Sequence, residues 1–333
     1  MGFSIEMLNT IRANASEEYQ NRIPQATRDN IVAVGNALQT YENLFNEFSQ
    51  ALINKIGKQI IQKKLFKNRL AKFKTGSILT QQDVEEIFSE DPKAEGEYNP
   101  AGPNPLGRRD TAKDHVVWHR MNRRDVYAIS LGDLDFLRVF RSEAALDQFI
   151  AGKLNGVYSA AAKDEWAIMK NLFATYDGYC DYEVPEITEA TAATAAKQFV
   201  KTVRKATNDL TTGYSTLYNK AHVETWSEKS DLVLFVHKDV IAEIDVEVLA
   251  KAFNMGKTDV EVQIEILDDF GSMTDAYALL VDKNWFRVWD TYSTMRKQEN
   301  AQGLFTNYFY HVHQIVSCSP FQNAVKFKVN KSA

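Results

Sequence analysis

The sequence predicts an α+β fold, and three observations carry that prediction. Helical periodicity runs through the N-terminal part and again from residue 142 to about 210. Strand patterns crowd the chain after residue 231. A proline- and glycine-rich excursion separates the two helical parts. Helices dominate the first two thirds of the chain, and strands mixed with a short helix dominate the rest.

Residues 1–58 read as helical and polar. From Asn30 to Ile56, apolar side chains recur every three or four residues, at Ile31, Val34, Leu38, Tyr41, Leu44, Phe45, Phe48, Leu52 and Ile56. That spacing makes one apolar helical face, expected to need a partner surface. Residues 55–74 then carry Lys55, Lys58, Lys63, Lys64, Lys67, Arg69, Lys72 and Lys74 with no acid among them. A solvated face, an acidic neighbouring subunit and a polyanion are the three readings of such a run. Over residues 75–130, Pro92, Pro100, Pro103 and Pro105 fall beside Gly96, Gly102 and Gly107. A loop of this length inside a domain is usually functional or a linker. Asp83–Phe88 is expected to make a helical turn, while Val116–Trp118 and Val126–Leu131 have β character. The excursion is therefore read as an extended hairpin.

Ser142 to Tyr176 gives the strongest helical stripe, through Leu146, Phe149, Ile150, Leu154, Val157, Tyr158, Ala161, Met169, Leu172 and Phe173. Ser142 suits the N-cap and Gly178 the stop, and Gly152 and Gly156 allow a bend. Thr188 is placed to cap a second helix to Leu210, with Phe199, Val200, Val203 and Leu210 inward. Strands are expected at 231–237, 260–267, 277–282, 285–292, 304–318 and 323–329, with a short helix at 245–254.

Composition narrows the function. The chain has 333 residues and a formal net charge of −5. Chains of this size bury about three quarters of their unfolded surface, so folding needs neither disulfides nor metal. The two cysteines, Cys180 and Cys318, make no disulfide framework and suit a reducing compartment. No segment reaches the roughly 18 apolar residues of a membrane span, and the start lacks a signal-peptide pattern.

Catalytic and metal motifs fall short one by one. His311 and His313 share a strand face, yet no Cys, Asp or Glu lies near in sequence to complete a metal shell. His115 and His119 have the zinc-protease spacing, but Val116 stands where that motif needs Glu. Gly256-Lys257-Thr258 resembles the end of a phosphate-binding loop, but Lys251 occupies the position of its first glycine. The neighbouring carboxylates Glu85-Glu86 and Asp268-Asp269 are expected to diverge into solvent. An enzyme reading has no residue to rest on, and no cofactor or metal is expected.

Four C-terminal segments are more specific. Asp245-Val-Glu-Val-Leu-Ala-Lys-Ala-Phe-Asn-Met255, Leu280-Val-Asp-Lys-Asn-Trp-Phe286, Gly303-Leu-Phe-Thr-Asn-Tyr-Phe-Tyr-His-Val312 and Phe321-Gln-Asn-Ala-Val-Lys-Phe327 occur in this order. With their spacing, they closely resemble the major capsid protein of short-tailed phages of the phi-twenty-nine type. Ile53-Asn-Lys-Ile-Gly57, Lys72-Phe-Lys74 before Gly76, and Val84-Glu-Glu-Ile-Phe88 extend a weaker similarity, so that it spans about residues 30–327.

The resemblance implies the tailed-phage capsid fold named for phage Hong Kong ninety-seven. Its parts map here as an N-terminal arm (1–58), an extended E-loop region (59–130), a P domain with a spine helix (131–185), an A domain (186–284) and the C-terminal P-domain strands (285–333). Only Lys328 to Ala333 follow the last matched segment, so the immunoglobulin-like domain of some relatives is expected to be absent. It implies a structural, non-enzymatic protein, made in the host cytoplasm and built into the virion. Hexamers and pentamers would enclose double-stranded DNA without sequence-specific binding, with scaffolding and portal proteins as further partners. Candidate inter-subunit contacts are Lys63, Lys64, Lys67, Arg69, Pro100, Pro103, Pro105, Arg108 and Arg109. The alternative is a nucleic-acid-binding protein that uses segment 55–74.

Overall fold

The computed structural model describes residues 3–41, 43–44, 47–48, 51, 66–78, 83–92, 112–132, 155–187, 192–243 and 263–330. The chain divides into two compact units, one of residues 1–69, 123–166 and 290–313, the other of 70–122, 167–289 and 314–333.

In the first unit, helices α1 (Phe3–Ala13), α2 (Glu17–Arg22) and α3 (Ile31–Thr40) pack together. Ser16 caps α2, accepting from the Tyr19 amide at 3.3 Å. Ile31, Val34, Leu38, Leu44 and Phe48 are buried against Ile5, Met7, Leu8 and Ile11 of α1. The face beginning at Asn30, expected to need a partner surface, meets α1 of its own chain through these residues, while Tyr41 is exposed. Strand β4 (Arg123–Gly132) adds Leu131 to the same cluster. Arg123, almost wholly buried, donates to Asp125 at 2.7 Å, to the Tyr127 hydroxyl at 2.9 Å and to the Ala161 carbonyl at 3.1 Å. A buried guanidinium is tolerated because its donors are matched in this way.

Helix α4 (Asn155–Thr175) is the C-terminal part of the stripe read from Ser142. Residues 133–154, with Ser142, Leu146, Phe149, Ile150 and Gly152, lie outside the described residues. Gly156 sits within α4.

The second unit is built on a five-stranded sheet in the order β5–β11–β8–β6–β7. Its strands are Cys180–Pro185 (β5), Leu232–His237 (β6), Gln263–Leu267 (β7), Ala276–Asp282 (β8) and Ala324–Asn330 (β11). β11 runs parallel to β5 and antiparallel to β8, and β6 runs antiparallel to β8 and parallel to β7. Leu232 to Val236 are all buried, as a strand covered on both faces requires. Leu232, Leu234 and Val236 meet helix α5 (Ala192–Thr211) through Phe199, Val203, Ala206 and Leu210. Phe235 points the other way, into an aromatic cluster with Phe73, Phe173 and Phe286 at centroid separations of 5.0–5.9 Å. Trp285 stacks on Phe173 at 5.5 Å, nearly parallel. Rings this large bury much apolar surface where they meet.

Helix α6 (Lys238–Glu243) follows β6 directly, and the expected helix at 245–254 lies outside the described residues, as do Gly256-Lys257-Thr258 and Thr188. A second sheet has the order β1–β9–β10–β4, with β1 (Gly76–Ser77), β9 (Phe286–Asn300) and β10 (Phe305–Cys318). β9 and β10 each supply residues to both units. β9 is longer than the expected 285–292, and β10 matches the long strand read from Leu304.

Asp268 and Asp269 do not diverge as expected. They follow the end of β7, where the chain turns, and both accept from the buried Lys170 ammonium, at 2.9 and 2.7 Å. Gly271 completes that turn at φ +68°, and a Cβ there would lie 2.9 Å from the Asn171 Cα. Only glycine meets both conditions without strain.

Candidate inter-subunit surfaces

Strands β2 (Val84–Ser89) and β3 (Asp114–His119) pair antiparallel, Val84 opposite His119 through Ser89 opposite Asp114. The excursion is thus an extended hairpin. Its first arm is a strand, which corrects the helical turn expected at Asp83–Phe88. Alternation gives the ribbon two faces.

The inner face carries Glu86, Phe88, His115 and His119. Phe88 stacks on Phe321 at 5.7 Å. Glu86 is the anchor. Its Oε1 accepts from Arg287 Nε and Nη2 at 3.0 and 2.7 Å and from Ser319 Oγ at 2.8 Å, and its Oε2 lies 2.8 Å from His119 Nε2. The other ring nitrogen of His119 lies 2.8 Å from Ser317 Oγ, which donates to the Arg287 carbonyl at 3.0 Å. Burial pushes the Glu86 carboxyl up, but the bonds from His119, Arg287 and Ser319 outweigh it and hold it at about 2. Charge-assisted bonds of this kind are the strong ones. Beyond the arm, Asn122 pairs twice with Val316, donating to its carbonyl at 2.7 Å and accepting from its amide at 2.9 Å.

The outer face is different. Ile87 lies opposite Val116, and Trp118 opposite Glu85. Ile87, Val116 and Trp118 are 57%, 45% and 53% exposed. Three large apolar side chains side by side on a two-stranded ribbon form a face that no side chain among the described residues buries.

The candidate contacts read from the sequence are other residues. Lys67 and Arg69 are exposed, flanking the buried Asn68, which donates to Glu165 at 2.7 Å. Lys72 is paired with Glu265 and lies over the Phe73 ring, so part of the basic run is neutralised within its own unit. Lys63, Lys64, Pro100, Pro103, Pro105, Arg108 and Arg109 lie outside the described residues. The Ile87–Val116–Trp118 face and the Glu86 anchor were missed. Period-2 alternation across 84–89 and 114–119 is the signal that would have found both.

The histidines and cysteines weighed for chemistry lie within the described residues. His115 and His119 share the inner face of a strand rather than a helix, and His115 Nε2 sits 2.9 Å from Glu90. Among the described residues, no group of three or more His, Cys, Asp or Glu is placed to hold a metal. Burial pushes the Cys318 thiol up to about 12, and Cys180 upward as well, so neither is an activated nucleophile. No helix among the described residues is long and apolar enough to cross a membrane.

Comparison with known proteins follows the same line. The model of the Phi29-like phage major capsid protein family matches residues 8–328. The major capsid protein of Bacillus phage B103 is 33% identical over 326 residues, covering 97% of this chain and 72% of that relative. That of Streptococcus phage Cp-1 is 26% identical, covering 96% of this chain and 93% of that relative. Among solved structures, the Staphylococcus phage Andhra capsid matches with TM-score 0.65 at 12% identity, over 81% of this chain and 86% of that one. The bacteriophage PhiM1 mature capsid matches with TM-score 0.54 at 9% identity, over 82% and 90%. At such identities the likeness speaks for the fold, that of tailed-phage capsid subunits.

Proposed function

We propose that this chain, which belongs to the Phi29-like phage major capsid protein family and is a structural protein of the virion shell, closes that shell through the β2–β3 hairpin. The hairpin lies over an adjacent subunit, and the subunits group as hexamers and pentamers around double-stranded DNA. The observation that carries this reading is the two-faced ribbon. Its inner face is bound to its own unit by the Glu86 network, and its outer face leaves Ile87, Val116 and Trp118 uncovered. A soluble monomer gains nothing from such a face, whereas a lattice of identical copies covers it at every repeat.

In this reading residues 1–58 are the arm, 59–130 the E-loop region, 131–185 the P domain with the spine helix, 186–284 the A domain and 285–333 the C-terminal P-domain strands. Lys63, Lys64, Lys67 and Arg69 meet acidic groups of neighbours. Pro100, Pro103, Pro105, Arg108 and Arg109 belong to the tip that reaches across. The protein is made in the host cytoplasm, catalyses no reaction and needs no cofactor, and scaffolding and portal proteins are its assembly partners. The mild net acidity suits a wall that must release its genome, because a wall basic over its whole surface would hold phosphates too tightly.

Electron microscopy of the full chain, expressed alone and with its phage's scaffolding protein, tests this. Deletion of residues 92–107 is expected to abolish closed shells while leaving a folded monomer. Normal shells from that deletion would sink the hairpin's role.

A further inference from the structure

Helix α5 offers a second exposed surface, one that no run of sequence marks. Phe199, Val203, Ala206 and Leu210 bury its inner side against the sheet. Its outer side carries Lys197, Lys201, Arg204 and Lys205, all exposed. From residue 192 to 208 the helix has no Asp or Glu. Its one acid, Asp209, already accepts from the Tyr182 hydroxyl at 2.7 Å.

We propose that this outer face of α5 is a contact for the phosphate backbone of double-stranded DNA. The inference rests on the shell reading and adds to it a surface that touches the genome. Charge complementarity selects the partner. At 1.5 Å per residue, four cations from 197 to 205 give one charge per about 3–4 Å of axis, close to the roughly 3.4 Å per phosphate along one DNA strand. The helix is fixed by its buried side, so the cations are held in register.

An acidic protein surface is the competing occupant. Protein interfaces are depleted in lysine and use aromatic or other large anchors at their centre. None of the large exposed apolar residues among the described residues lies on α5. Protein–DNA interfaces are instead polar and strongly cationic, as this face is. Four contacts are few enough to be reversible, since affinity of this kind falls steeply with salt.

The test uses the purified full chain and a random-sequence 30-base-pair DNA duplex, with binding followed by fluorescence anisotropy across a salt series. Shell yield is scored in parallel by electron microscopy. Lys197→Gln, Lys201→Gln and Lys205→Gln together are expected to weaken duplex binding at low salt by tenfold or more. The log–log salt slope should shrink by about 2.7, at about 0.9 for each phosphate no longer neutralised. Shell yield should stay at the wild-type level. The corresponding triple Lys→Arg variant keeps the charge and is expected to keep the slope, which separates charge from folding. An unchanged slope in the Gln variant overturns the proposal. So does a loss of shells with unchanged DNA binding, which would assign the face to an acidic neighbour. A wild-type chain that never forms shells would remove the shell reading itself, and with it the genome-facing role, whatever its slope.

Discussion

The hairpin and helix α5 each bury one side and expose the other, and they expose opposite chemistry. The ribbon shows Ile87, Val116 and Trp118, while α5 shows Lys197, Lys201, Arg204 and Lys205. An apolar face loses stability to water and gains when another apolar surface covers it, at about 25 cal/mol per Å². A cationic face of long side chains gains nothing from apolar cover and responds to polyanions and salt. The two surfaces therefore suit different occupants: the proposed ones are a copy of the same chain for the first and phosphate for the second. They should fail under different perturbations.

Trp118→Glu combined with Ile87→Glu should break the comparison most sharply. Both side chains are more than half exposed, so the monomer should stay within about 1 kcal/mol of wild-type stability. Closed shells should fall by more than tenfold in particle counts, because each copy then presents a desolvated carboxylate to its neighbour. Unchanged particle counts would show that the outer face of the ribbon stays in water.

The inner face is the next target. Glu86→Gln keeps the shape but leaves Arg287 and His119 facing a neutral group, at a cost of about 3 kcal/mol to hairpin docking. Faster amide hydrogen exchange across 84–89 and 114–119, with the five-stranded sheet unaffected, is the expected signature. The same group sets a pH dependence. Its carboxyl is depressed from 4.5 to about 2. A depressed acid contributes fully above its unfolded value and loses that contribution as pH falls through its folded value. Hairpin docking should thus be intact above about pH 4.5 and weaken progressively toward pH 2, by an amount on the order of 3 kcal/mol. Exchange rates that are flat across that window would show that the anchor is not what holds the ribbon down.

What was legible in the sequence follows from how local each signal is. β6 and β8 read correctly because burial on both faces turns a strand into an unbroken apolar run. α5 read correctly because one apolar stripe meets one sheet face. Val84–Ser89 was misread because its adjacent acids look helical, and its strand character depends on a partner at 114–119 beyond a long loop. The partner of the α3 face was not legible because it rests on α1's own stripe of Ile5, Leu8 and Ile11, which only the fold brings alongside. The basic run at 55–74 drew attention by being contiguous. The cations of α5 escaped it, because helical spacing interleaves them with buried Phe199 and Val203 and only the fold collects them.

That last contrast yields the smallest expected effect. Lys67 and Arg69 are exposed, and single exposed ion pairs are worth about 0.2–1 kcal/mol. Reversing both charges, Lys67→Glu and Arg69→Glu, should lower shell yield less than tenfold at low salt. The effect should fade toward about 0.5 M salt, where the screening length falls to about 4 Å. Duplex binding by the free chain should change less than with the triple lysine variant of α5. If the reversal instead lowers DNA retention in shells that assemble normally, the basic segment rather than α5 faces the genome, and the two surfaces exchange roles.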